Sequence, residues 1–102
     1  MQIIQCHCYE EEKYTRTTYG VQNDGTHTCA MQIADWIRSY RPEAGIKLYM
    51  DDDRDTDNYI VRFEDGESEF IVGKEDYLLY TPNGLFLDCD AEFFENNFEV
   101  QL

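Results

Sequence analysis

An α+β domain is predicted for this chain of 102 residues, built as an antiparallel strand meander with two helices. Three observations carry the prediction. Residues 29–40 repeat their apolar side chains at helical spacing. Most other stretches alternate apolar with polar residues, or are rich in Thr, Tyr, Val and Ile. Tight-turn signals, Asp65-Gly66 and Pro82-Asn83-Gly84, join neighbouring stretches as hairpins. Strands, one main helix and then more strands are the order of an α+β domain. No internal repeat or linker divides residues 1–102, so a single domain is expected.

The first strand is expected over Met1 to Tyr9, with Ile4, Cys6 and Cys8 on one face and Ile3, Gln5 and His7 on the other. Glu10-Glu11-Glu12 makes a charged turn, and Tyr14 to Val21 has the composition of a second strand. Asn23-Asp24-Gly25 closes it as a loop. The main helix is predicted from about Cys29 to Tyr40, with Thr28 as its N-cap. Met31, Ile33, Ala34, Trp36, Ile37 and Tyr40 form its apolar stripe, and Pro42 and Gly45 mark its end.

Beyond the helix the period changes to that of strands. Ile46 to Met50 is followed by an acidic loop, Asp51 to Asp57. Tyr59 to Glu64 and Glu67 to Val72 form a hairpin through a type I′ turn at Asp65-Gly66. Tyr77 to Thr81 and Leu85 to Cys89 form another. Asp90 caps a short helix containing Phe93 and Phe94, and Phe98 to Leu102 closes the chain.

Charge narrows the function. Twenty-two Asp and Glu stand against eight Lys and Arg, a formal net charge of -14. Aromatic residues make up 15% of the chain, so the charge rides on a folded core and is not a mark of disorder. Such a surface repels phosphate backbones and anionic membranes and attracts cationic proteins. Direct nucleic-acid binding, P-loop chemistry and dinucleotide binding are all disfavoured. No apolar run reaches the roughly 18 residues that span a bilayer, and the N-terminus lacks a basic start followed by an apolar stretch. A cytoplasmic location is expected, with Cys6, Cys8, Cys29 and Cys89 as free thiols.

Five groups of residues are candidate sites. Asp53, Asp55, Asp57 and, at position 12, Glu64 approach the register of a calcium loop, although strands flank it where helices would be needed. A solvated hairpin loop is the simpler reading. Cys6, Cys8, His27 and Cys29 offer zinc-binding atoms at spacings unlike those of zinc knuckles, with buried thiols as the alternative. Cys29 near a helix N-terminus, with His27 beside it, has the elements of an activated thiol. Glu67/Glu69 and Glu92/Glu95 are carboxylate pairs without any sugar-binding platform. Tyr14, Tyr19, Tyr49, Tyr59, Tyr77 and Tyr80 exceed what a small core needs, and tyrosine beside carboxylate is a surface that accepts arginine.

Lys74-Glu75-Asp76-Tyr77-Leu78-Leu79-Tyr80, Asn83-Gly84-Leu85-Phe86, Cys89 and Phe94-Glu95-Asn96-Asn97-Phe98-Glu99 form a recurring pattern. Over residues 74–100 it resembles the GDYI, GEFYPC and FEKTYE-like run that ends small phage and prophage proteins. Glu75 stands where that pattern has Gly, and Asp90-Ala91 where it has Lys-Pro. The resemblance implies a mobile-element origin and a shared meander, and it carries no site residues.

Together these readings lead to a non-enzymatic function: binding and inhibiting a basic, nucleic-acid-binding host protein in the manner of anti-restriction or anti-CRISPR proteins. Carboxylates on a strand recur about every 6–7 Å along one face, close to the phosphate spacing of a nucleic-acid strand. The residues expected to carry the contact are Asp51, Asp52, Asp53, Asp55 and Asp57 in the loop, and Glu64, Asp65, Glu67 and Glu69 in the hairpin. No cofactor is implied. The alternatives are a calcium- or zinc-binding module, or an accessory structural protein that self-associates through a sheet edge.

Overall fold

Two antiparallel sheets enclose the main helix in the structure, a computed structural model that describes residues 1–8, 17–51 and 58–101. In chain order the elements are β1 (Ile4–Cys8), β2 (Thr18–Gln22), α1 (His27–Tyr40), β3 (Gly45–Asp51), β4 (Asn58–Asp65) and β5 (Ser68–Val72). Then come β6 (Tyr77–Tyr80), β7 (Phe86–Cys89), α2 (Ala91–Asn97) and β8 (Phe98–Val100). This is the α+β class expected from the sequence, with one main helix and a short C-terminal one. The strands fall into a five-stranded sheet, β7-β6-β2-β1-β8, and a three-stranded meander, β3-β4-β5. The two ends of the chain pair with each other, with His7 opposite Glu99.

Helix α1 begins earlier than expected. Its N-cap is Thr26, whose hydroxyl accepts from the Cys29 N–H at 3.1 Å, while Thr28 lies inside the helix. Asp24 fixes that cap by accepting from both the N–H and the hydroxyl of Thr26, at 2.8 and 2.7 Å. The same bonds hold the Asp24 carboxyl below its ordinary pKa. The buried stripe is Cys29, Ala30, Ile33, Ala34, Trp36 and Ile37. Met31, expected in that stripe, is 49% exposed, and Ala30 takes its place against the sheets.

The β4–β5 turn also differs from the type I′ expectation. Asp65 pairs with Ser68, so the two turn residues are Gly66 and Glu67. Gly66 carries a positive φ of 63° and Glu67 does not, the pattern of a type II′ turn. Asp65 is thereby kept in the strand, with its side chain on the same face as Phe63.

The alternation of β6 divides the core. Leu78 and Tyr80 pack with Val21, Ile33, Trp36, Ile37, Val61, Phe63 and Phe86 around α1. Tyr77 and Leu79 pack with Cys6 and Phe94 in a second cluster beneath α2. Phe94 is stacked on Tyr77 at 3.9 Å and on Phe98 at 5.5 Å. Leu79 needs the bare backbone of Gly20, because a Cβ there would lie 2.7 Å from its Cδ2.

Asn23 joins the sheets. It is fully buried, and its amide donates to the carbonyls of Tyr59 at 2.8 Å and Val72 at 3.0 Å. Its side-chain oxygen accepts from the Gly25 N–H at 2.9 Å, and its backbone exchanges bonds with Glu75 and Asp76. One side chain thus satisfies three buried backbone groups from β4, β5 and the loop before α1.

Candidate partner-binding surface

The carboxylates picked out in the sequence fall into two groups. Asp52, Asp53, Asp55 and Asp57 lie outside the described residues, and Asp51 ends β3 opposite Asn58. The hairpin acids are all placed. Glu64 is exposed on the outer face of β4, opposite Glu69 of β5. Glu67 is exposed in the turn.

Two of the hairpin acids are neutralised within the fold. Glu69 forms an ion pair with Arg62 at 2.8 Å. Asp65 pairs with Arg41 at 3.2 Å. Arg41 also donates to the Gly84 and Tyr40 carbonyls, and its guanidinium lies 5.8 Å from the ring centres of both Tyr80 and Phe86. Tyrosine beside carboxylate does accept arginine here, and the arginine comes from the chain itself. Lys47 lies on the same outer face, in register with Arg62. The hairpin surface is therefore mixed in charge.

A second acidic group lies further along the chain, of which only the Glu92/Glu95 pair stands out in the sequence. Residues 75–102 carry Glu75, Asp76, Asp88, Asp90, Glu92, Glu95 and Glu99 with no Lys or Arg among them. Three of these carboxylates are anchored by backbone N–H groups: Asp76 by Gly73 at 3.0 Å, Asp88 by Ile71 at 3.0 Å and Asp90 by Phe93 at 2.7 Å. Glu75 is exposed beside them at a positive φ of 72°. Its conformation is held by its N–H bonding the Asn23 carbonyl at 2.7 Å.

Asp76 and Cys89 within this region are shifted, chiefly by burial. Burial raises the Asp76 carboxyl above its ordinary pKa, and repulsion from Asp90, Asp88 and Glu75 adds to that despite the Gly73 bond. Burial and then Asp90, Asp88 and Asp76 push the half-buried Cys89 thiol up to about 11. The signal was legible as the absence of any basic residue after Lys74.

The Cys6, Cys8, His27 and Cys29 set does not assemble, and Asp53, Asp55 and Asp57 of the calcium set lie outside the described residues. No cluster of three or more His, Cys, Asp or Glu able to hold a metal occurs among the described residues. Cys6 sits in the cluster with Leu79 and Phe94, Cys29 in the other with Ala30 and Ile33, and His27 packs its ring on Tyr59 at 4.8 Å. Strands β3 and β4 flank the aspartate loop, so the helix–loop–helix frame of a calcium loop is absent there.

Cys29 is not an activated thiol. Burial raises its pKa above the ordinary value, and its Sγ donates to the Gln22 carbonyl at 3.5 Å. Desolvation outweighs the helix N-terminus because the side chain is only 3% exposed. No helix is long and apolar enough to cross a membrane. Family models, curated proteins and solved structures give no match to this chain.

Proposed function

We propose that this protein is a non-enzymatic binding domain for a basic protein, and that its acidic surface occupies the partner's nucleic-acid cleft. One observation carries the reading: seven acids and no base from Glu75 onward, three of them anchored on backbone N–H groups. A carboxylate oriented by an N–H keeps its other lone pairs for a partner and loses little entropy on binding. A cleft built for phosphates is an array of Lys and Arg, and an ordered array of carboxylates satisfies the same donors. The C-terminal resemblance to phage and prophage proteins favours a host restriction, CRISPR or transcription protein as the target, with inhibition as the outcome. The aspartate loop, Asp51 to Asp57, supplies further charge in this reading.

The test is capture of bacterial host proteins on the immobilised chain at low salt, followed by DNA-binding assays of whatever is retained. The expected result is a basic DNA- or RNA-binding protein, released by rising salt, that loses its nucleic acid when this chain is added. Retention that is indifferent to salt, or a captured protein that still binds its nucleic acid, would contradict the reading.

A further inference from the structure

Where β5 and β7 meet, a side chain joins the two sheets in place of a backbone ladder. The Ile71 N–H donates to Asp88 Oδ2 at 3.0 Å, and among the described residues no strand pairing links β5 with β7. Inside this seam the rings of Phe70 and Phe86 stand 6.2 Å apart, in the core around α1. Strand alternation then turns their chain neighbours, Ile71 and Leu87, to the outer surface on either side of the seam. These two are 47% and 38% exposed, and Leu85, which leads into β7, is 61% exposed.

Single exposed aliphatic residues are ordinary, but a group of them in one place marks a contact. Helix α2 leaves this group open: its Phe94 packs with Cys6, Leu79 and Tyr77, and neither Ile71 nor Leu87 belongs to that cluster. The surrounding charge is acidic. Arg62 lies in register with Ile71, but Glu69 holds it at 2.8 Å. Asp88 and Asp90 follow Leu87 in the chain, and no Lys or Arg occurs from Glu75 onward. A second copy is a poor occupant, because two chains of net charge -14 repel each other. An apolar centre with an acidic rim instead complements an apolar side chain flanked by Lys or Arg.

We infer that the β5–β7 seam is a docking surface for a segment of a basic protein in which an aliphatic or aromatic side chain lies between Lys or Arg residues. The apolar side chain packs on Ile71, Leu85 and Leu87, and the flanking cations meet Asp88 and Asp90. The bond from the Ile71 N–H holds the Asp88 carboxylate at the seam, so the apolar and acidic parts of the surface are fixed together. The inference rests on the proposed function and adds to it the kind of partner segment recognised. A phosphate backbone has no aliphatic surface of this kind, so the seam gives the chain a hold on its target that charge alone does not.

Two peptides of equal charge separate the apolar contact from the charge: Arg-Arg-Gly-Leu-Phe-Gly-Arg-Arg, and the same peptide with Ser-Ser at its centre. In calorimetric titration of the full chain at low salt, the Leu-Phe peptide should bind about tenfold tighter, from the apolar surface it buries. Rising salt should weaken both peptides and leave their ratio nearly unchanged. Ile71→Ser with Leu87→Ser should bring the two affinities together by weakening the Leu-Phe peptide alone. Unchanged affinity for the Ser-Ser peptide shows that the fold and its acids are intact. Leu85→Ser, at the most exposed of the three, should lower the ratio in the same direction without altering a strand. Met31→Ser, at a residue 49% exposed on α1, should keep the preference in full. Equal affinity of the wild-type chain for both peptides would overturn the inference and leave the proposed function standing. A preference that survives the substitutions at the seam, or is lost in Met31→Ser, would do the same. Binding of neither peptide would overturn both.

Discussion

In the β4–β5 hairpin two of the acids are paired with arginines, whereas from Glu75 onward the chain carries seven acids and no Lys or Arg. Arg62 answers Glu69 and Arg41 answers Asp65, so the hairpin's attraction for a cation is largely spent inside the fold. Among the described residues, backbone N–H groups answer the carboxylates of Asp76, Asp88 and Asp90, and these orient the charge without cancelling it. Density of acids in the sequence and availability of acids on the surface are therefore different quantities. The hairpin is high in the first, and the C-terminal region in the second.

The largest expected effect comes from cutting the tie between the two regions. Asn23→Leu strands the Tyr59 and Val72 carbonyls and the Gly25 N–H in the interior. Unpaired buried groups cost about 1–3 kcal/mol each, so chemical denaturation should show a loss of about 3 kcal/mol or more. A loss below about 1 kcal/mol would mean that the sheets are held together in some other way.

Neutralising each region in turn should have the next largest effect. Asp76→Asn, Asp88→Asn, Asp90→Asn and Glu92→Gln together should lower affinity for a cationic peptide about tenfold or more, at up to about 1 kcal/mol per exposed pair. Glu64→Gln with Glu67→Gln should lower it by less than half that in free-energy terms. Calorimetric titration at low salt checks both, and equal losses would erase the contrast between the regions.

The smallest effect concerns pH. Asp76 has a raised pKa in the folded chain, so at neutral pH its ionised form opposes folding. Asp76→Asn should therefore melt at a higher temperature than wild type near neutrality. As pH falls toward the ordinary carboxyl value of 3.8, the folded wild type takes up its proton before the unfolded chain does. Wild-type stability then rises relative to the variant and the gap closes. A gap that widens on acidification would assign the opposite sign to the environment of Asp76.

Features written in local sequence were the legible ones. The Asp90 cap of α2, the hairpin at Pro82-Asn83-Gly84 and the apolar stripe of α1 all depend on residues a few positions apart. Pairing of β1 with β8 does not, and neither does the division of the strands between two sheets. Asn23 read as a loop residue because nothing nearby in sequence shows that it reaches Tyr59 and Val72. Cys6 and Cys29 looked like a ligand set because strand alternation does not reveal which core cluster a thiol will join. The aspartate loop drew attention by density, and the arginines that neutralise the adjoining hairpin come from Arg41 and Arg62, one of them on a different element.

The central claim is that the acids beyond Glu75 form the binding surface, and backbone amide NMR with an arginine-rich peptide tests it most directly. The N–H groups of Ile71, Gly73 and Phe93 donate to Asp88, Asp76 and Asp90, so they report any cation that reaches those carboxylates. The largest salt-sensitive shifts should fall on these three amides, with small shifts from Glu64 to Glu69. Shifts concentrated in that hairpin, or spread evenly over the chain, would contradict the account.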